Sequence, residues 1–338
     1  MLLLGDIDQR QGRPTDAHRR LLDAERLAGL TDAAHLQVRV ASVLATFMGD
    51  FEGQLEEAVE NLRSEILAAE EIDDRALLAE GHLRIAAILG RNDLAAAEAE
   101  LRRCLELAAE LGSHRIEAEA TSWLGIFAYY RGRPVEGERL CLQARTWFER
   151  TGDSYFQVQN LISGLAIFAL EDGRAEDAEA WLREALPISL QIGGWAVLKT
   201  YCHLVQVLVA QDRLDDAREI VVFAARSVPE EATYARSWLL LAEATVATAA
   251  RESVTAAAAF AEALRLLEEL DFAIDVAEAR LALGRSLRAF GDVIGARVEL
   301  ERARAIFVRM DADFRRDAID RELAELVEGP TPTGPSIA

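Results

Sequence analysis

Five histidines, three cysteines and a single lysine are the side chains of this 338-residue sequence best suited to chemistry, and their spacing supports none. His18, His35, His82, His114 and His203 are scattered, with no two close enough in sequence to share a metal ion on one helix face. Each reads as a surface or half-buried histidine rather than a ligand or base. Cys104, Cys141 and Cys202 form an odd, dispersed set that reads as small core residues in a reducing cytoplasm. Lys199 has no glycines ahead of it, so a GxxxxGK phosphate loop is excluded; HExxH, CxxC, GxGxxG and GxSxG are absent as well. The acidic run Glu70-Glu71 with Asp73-Asp74 falls at a predicted helix end and reads as a solvated face rather than a metal site. The expectation is a protein without catalytic residues, cofactor or metal.

The elements that carry these residues repeat. A small residue recurs at Ala17, Ala58, Ala97, Gly137, Ala178, Ala217, Ala256 and Ala296, spaced by 39 to 41 residues. Four residues later comes Leu21, Leu62, Leu101, Cys141, Leu182, Val221, Phe260 or Leu300. Three further on the residue is small again, from Ala24 to Ala303, with Glu65 the departure. Offsets of three, four and seven share one helix face, and small residues there let a second helix approach closely. Turns rich in Gly, Asn and Asp precede the motif, and Pro14 and Pro134 fall where a new helix begins. Each unit is a predicted helical hairpin, with Ala217 and Ala296 buried where its two helices meet.

This skeleton resembles the tetratricopeptide repeat, whose first small position is occupied here by Gly5, Gly125 and Gly284. The resemblance implies an all-α, right-handed superhelical solenoid of about eight hairpins plus a C-terminal capping helix. Units are expected at about residues 1–30, 31–74, 75–112, 113–152, 153–194, 195–229, 230–271 and 272–311, with a cap at 312–328. Within them, Pro187 should kink or end its helix, and Gly193-Gly194 is the place for a change of pitch. Pro229 marks the break between the sixth and seventh units, and the Pro/Gly-rich stretch 329–338 reads as a disordered tail. The first unit starts inside its own first helix, an uncapped end that predicts further chain upstream in the natural protein. Units near 40 residues, longer than the usual 34, are similar to the MalT-like sensor region of bacterial signal-transduction ATPases and LuxR-type regulators.

Composition narrows the partners. A formal charge of −21 with one lysine disfavours binding to a phosphate backbone. No stretch approaches the roughly 20 apolar residues of a membrane span, and no basic leader precedes an apolar segment. A cytoplasmic protein is expected. All five tryptophans and all five tyrosines lie between 123 and 238, which reads either as a bulkier core or as an aromatic binding groove. The resemblance implies that first-helix positions line that groove, here His82, Tyr129, Asn160, Lys199, Gln206, Trp238, Thr245 and Arg285. Tyr129, Lys199 and Trp238 are then expected on one concave surface, with Lys199 meeting a ligand carboxylate or standing as an ordinary surface lysine. The implied function is a non-catalytic binding module for a protein, a peptide or a small inducer. It is read as the sensor region of a larger bacterial regulator or as a free-standing adaptor.

Overall fold

The computed structural model describes Gly5, residues 14–226, Val228 and residues 232–328. Pro229, the tail 329–338 and all of the first unit's opening helix except Gly5 lie outside them. The molecule is 86% helical, with no strand and sixteen helices among the described residues. Helix α1 (Pro14–Ala28) is the second helix of the first unit. Seven hairpins follow: α2 (Ala34–Glu52) with α3 (Leu55–Glu71), α4 (Arg75–Leu89) with α5 (Leu94–Leu111), and α6 (His114–Tyr130) with α7 (Pro134–Thr151). Then come α8 (154–171) with α9 (Ala175–Ile192), α10 (Gly194–Ala210) with α11 (Leu214–Ala225), α12 (Thr233–Ala249) with α13 (Ser253–Glu269), and α14 (Ala273–Ala289) with α15 (Val293–Arg309). Helix α16 (Asp313–Glu328) closes the series. Even-numbered helices are the first helix of each hairpin.

The small-residue register is what packs each hairpin. Ala17, Ala58, Ala97, Ala178, Ala217, Ala256 and Ala296 are at most 1% exposed, and Gly137 is buried in the same place. The contact between α6 and α7 is so close that a Cβ on Gly137 would lie 2.6 Å from the Gly125 carbonyl oxygen. Glu65, the departure from the second small series, and Val221, in the apolar series, are only half-buried. Consecutive first helices (α2 with α4, α4 with α6, α10 with α12, α12 with α14) pack backbone to backbone more closely than consecutive second helices, which meet through long side chains such as Arg145 on Glu184 at 3.2 Å. First helices therefore form the inner wall of the curve and second helices the outer.

Turn residues set the spacing between units. Gly53, Gly112, Gly132, Gly152, Gly173 and Gly291 adopt positive φ, and Asp73, Asp212, Asp271 and Asp311 take the same role elsewhere. The arginine after three of these turns reaches back one unit: Arg133 to Glu98, Arg174 to Glu138 at 3.0 Å, and Arg213 to Glu179 at 2.9 Å. Glu98 is only 1% exposed and also holds Arg131 at 3.1 Å, so this link is part of the core rather than a surface pairing. Pro187 does not end its helix. Helix α9 runs past it to Ile192; Pro187 and Arg183, whose carbonyl loses its partner, both face solvent, where water can take up the freed carbonyl. The helix stops instead at Gly193, with φ 78° and ψ −165°, a conformation open in practice only to glycine.

One core carboxylate makes stability depend on pH. Glu119 on α6 is 2% exposed; burial pushes its carboxyl up to about 7, although Arg115 sits 2.7 Å away. Asp153 and Glu80 push the same way. The folded state therefore holds a proton here that the unfolded chain releases above about pH 4.5, and stability from this group falls as pH rises from there to about 7. Glu119→Gln should be more stable than the parent at pH 8 by roughly 2–3 kcal/mol, with the gap closing below about pH 4.5. Urea denaturation at both pH values reads this directly; an equal effect at both would contradict it.

Candidate functional site

The inner wall does not stay open along its length, because the superhelix curves far enough for its C-terminal units to touch the turns of earlier ones. Ile274 N–H donates to the Arg91 carbonyl at 3.0 Å, and Ala273 N–H donates to Asn92 Oδ1 at 3.0 Å. Leu270 and Phe272 join the apolar cluster of Leu55, Leu62 and Ile88. Gly53 lies so close that a Cβ there would stand 2.8 Å from Leu270 Cα. Further along the seam Phe314 packs on Tyr129, ring centroids 4.5 Å apart. Arg315, 3% exposed, pairs with Glu171 and Glu278 at 2.6 Å each and lies over the Tyr130 ring. Burial pushes the Glu171 carboxyl up, but Arg315 and Arg285 outweigh this and hold it below its usual range; Glu278 stays raised by burial.

Beside this seam lies a second cluster on α10, α12 and α14. Asp275 is 9% exposed, accepts from the Tyr234 hydroxyl at 3.2 Å and stands 3.6 Å from Arg91. The Arg91 guanidinium also lies 4.0 Å over the Phe272 ring. Lys199 Nζ sits 4.8 Å from the centre of the Trp238 ring, and burial lowers its pKa against the pull of Asp275. His203, one helical turn on, stands edge-on to Trp238 with ring centroids 5.3 Å apart. Burial, seconded by Lys199, pushes its imidazole down to about 4, so the ring is neutral near pH 7. The structure buries this histidine, which sequence reasoning took for surface or half-buried.

The groove residues named from sequence divide between these places. Lys199, Gln206 and Trp238 come together: His203 Nδ1 lies 3.2 Å from Gln206 Oε1, and Lys199 and Trp238 make the contact just described. Thr245 lies two turns along α12 and spends its hydroxyl on the Leu241 carbonyl at 2.8 Å. Tyr129 is 1% exposed and stacked on Phe168 at 3.9 Å, so it is enclosed between helices and not displayed on a surface. Arg285 is tied to Glu322 of α16 at 2.7 Å. Asn160, fully buried, donates to Ser122 Oγ at 2.8 Å just before the π-helical turn Leu161–Leu165. His82 stands apart, its Nδ1 2.6 Å from Glu100 Oε2.

Sequence reasoning missed Arg91, Asp275, Arg315, Glu171 and Glu278. A repeat register reports neighbours one unit away, whereas Arg91 meets Asp275, and Arg315 meets Glu171, across several units. The cysteines are inert: burial pushes the Cys104 and Cys202 thiols up to about 12 and Cys141 higher still. Among the described residues no group of three or more His, Cys, Asp or Glu is placed to hold a metal ion, and no helix is long and apolar enough to cross a membrane.

No family model and no curated protein matches the sequence. The fold does match solved structures. One is a Rap protein complexed with competence and sporulation factor, at 13% identity and TM-score 0.66, covering 85% of this chain and 77% of that one. Another is the Rap conjugation gene regulator of the plasmid pLS20 in complex with a Phr peptide, at 15% identity and TM-score 0.64, covering 89% and 80%. At these identities the likeness is one of fold: this chain is an all-helical repeat solenoid similar to both.

Proposed function

We propose that the chain is a non-catalytic binding module that takes a peptide, or a peptide-like segment of a protein partner, against its inner wall. The observation that carries this reading is the cluster of Lys199, His203 and Trp238, where polar groups and aromatic surface are gathered on adjacent first helices. Aromatic anchors beside charged groups are the composition of binding hot spots, and solenoids bind on the concave side. The two Rap structures of like fold hold ligands, one of them a peptide. The resemblance to MalT-like sensor regions supports a finer reading, a regulatory module of a bacterial signalling or transcriptional regulator acting in the cytoplasm. A small inducer is the other ligand class that reading admits, and nucleic acid is not a partner of this acidic chain.

A free-standing adaptor is the second reading. It is favoured by a separate apolar surface on α11, where Val222 is 56% and Phe223 50% exposed beside Arg218 and Arg226. An adaptor needs two surfaces, and this one lies on an outer-wall helix.

The proposal is tested by selecting peptides from a random library on the whole chain and mapping their footprint by hydrogen–deuterium exchange. Slowed exchange confined to α10, α12 and their flanking turns is the expected result. A footprint on α11, α13 and α15 alone would overturn it.

A further inference from the structure

We propose that α11 is the contact helix of a homodimer, pairing antiparallel with α11 of a second copy of this chain about a two-fold axis. The inference goes beyond the peptide-binding reading and does not depend on it.

The repeat register singles this helix out. Five and six residues after the small position, every other second helix carries at least one polar side chain, such as Arg102-Arg103 on α5, Arg183-Glu184 on α9 or Glu301-Arg302 on α15. On α11 both are apolar, Val222 and Phe223, and they are 56% and 50% exposed. The buried Tyr201 ring stands edge-on to Phe223, centroids 5.4 Å apart, which fixes the exposed ring in position. A helix face of this kind gains from being covered.

Charge around the apolar pair is self-complementary. Glu219 lies three residues before Val222 and Arg226 three after Phe223, on one stripe whose backbone stays helical through Arg226. With Arg218 they border an open depression over Val222 and Phe223. Arg218 is spent within the chain, on Asp215 at 3.6 Å and Glu252 at 3.3 Å, whereas Glu219 and Arg226 have no ion-pair or hydrogen-bond partner among the described residues. In an antiparallel pair centred between Val222 and Phe223, Val222 of each copy meets Phe223 of the other, and Glu219 of each meets Arg226 of the other. Every contact then forms twice, as a two-fold interface requires. Asp215, exposed one turn further out, adds to the negative end that receives the second copy's Arg226. A parallel pair would set arginine against arginine and glutamate against glutamate, so charge selects the antiparallel one. One helix pair is small against the roughly 1,200–2,000 Å² of stable interfaces, so the dimer is weak and reversible.

The test is sedimentation equilibrium of the whole chain, loaded from about 1 μM to about 1 mM, the range in which a weak interface titrates. The parent should pass from monomer to dimer. Glu219→Arg sets arginines face to face at both ends of the pair, and Arg226→Glu sets glutamates there; each should raise the dissociation constant at least about tenfold. Mixed one to one, the two variants should recover the parent's association, because each arginine of one copy then faces a glutamate of the other. Both side chains are exposed, so both variants should keep the parent's helical circular dichroism and melting transition. Concentrating the parent should also slow amide exchange at α11, a readout that needs no variant. A parent that stays monomeric throughout overturns the proposal and leaves the α11 surface to a different partner, as the adaptor reading has it. Association that neither variant weakens, that the mixture does not recover, or that slows exchange only at other helices overturns it as well. Peptide footprints on α10 and α12 are read on the monomeric variants, so the inner-wall reading stands or falls separately.

Discussion

Arg315→Leu should cost about 3–5 kcal/mol of folding stability, the range for removing one partner from a buried ion pair. The side chain is 3% exposed and lies 2.6 Å from both Glu171 and Glu278. Leucine removes the positive charge and leaves two carboxylates facing each other in a space with little water. Glu278 already has its carboxyl raised by burial, and Glu171 stays below its usual range through Arg315 and Arg285. Losing the guanidinium pushes both upward, so the variant should be hurt most at neutral pH and recover partly in mild acid. Helix α16 should also exchange its amides faster than α14, because Arg315 is the polar tie between the last helix and Glu171, several units earlier. Adding Glu171→Gln and Glu278→Gln should restore much of the loss, since a seam with no charge is less costly than one with unpaired charge. A loss below about 1 kcal/mol would mean that the seam is not a stabilising contact.

Gly137→Val should reach or exceed the upper end of the roughly 1–3 kcal/mol that overpacking usually costs. A Cβ at this position meets the Gly125 carbonyl oxygen at 2.6 Å and the Tyr129 backbone nitrogen at 3.0 Å. Both are backbone atoms, so no side chain can rotate aside and α6 must move away from α7. Tyr129 rides on the same stretch of α6, stacked on Phe168 and packed against Phe314. The displacement therefore reaches the seam as well as the hairpin. Gly152→Val is the control: that glycine has open space around it and only the cost of its positive φ. Thermal melts in which the two variants fall equally would argue against the α6–α7 contact described here.

The local part of this architecture is written in the sequence and the global part is not. The eight small positions from Ala17 to Ala296 are buried because each is fixed by its own helix and the partner one turn away in the chain. Tyr129 shows where that logic stops. It occupies a first-helix position that the resemblance assigns to a groove, yet Phe314, far along the chain, covers it. Arg315 reads in sequence as one more charge on a polar capping helix, and only the curvature accumulated over several units brings it to Glu171. The hydrogen bond from Ala273 to Asn92 joins residues 181 positions apart, far beyond the reach of a repeat near 40 residues long. Small rotations between units add up to the superhelix, and no short motif encodes their sum. Lys199 was legible as an unusual residue, being the only lysine; its neighbour Asp275 was not, since it arrives from two units on.

The affinity of Trp238→Ala for a library-selected peptide tests the central claim most directly. If the inner wall at α10 and α12 is the binding surface, the substitution should weaken binding by about 2 kcal/mol or more, roughly thirtyfold in Kd. Trp238 is only partly buried, so the variant should stay folded, and its melting transition serves as the check. An unchanged Kd in a folded Trp238→Ala protein would contradict the account and place the binding surface elsewhere on the solenoid.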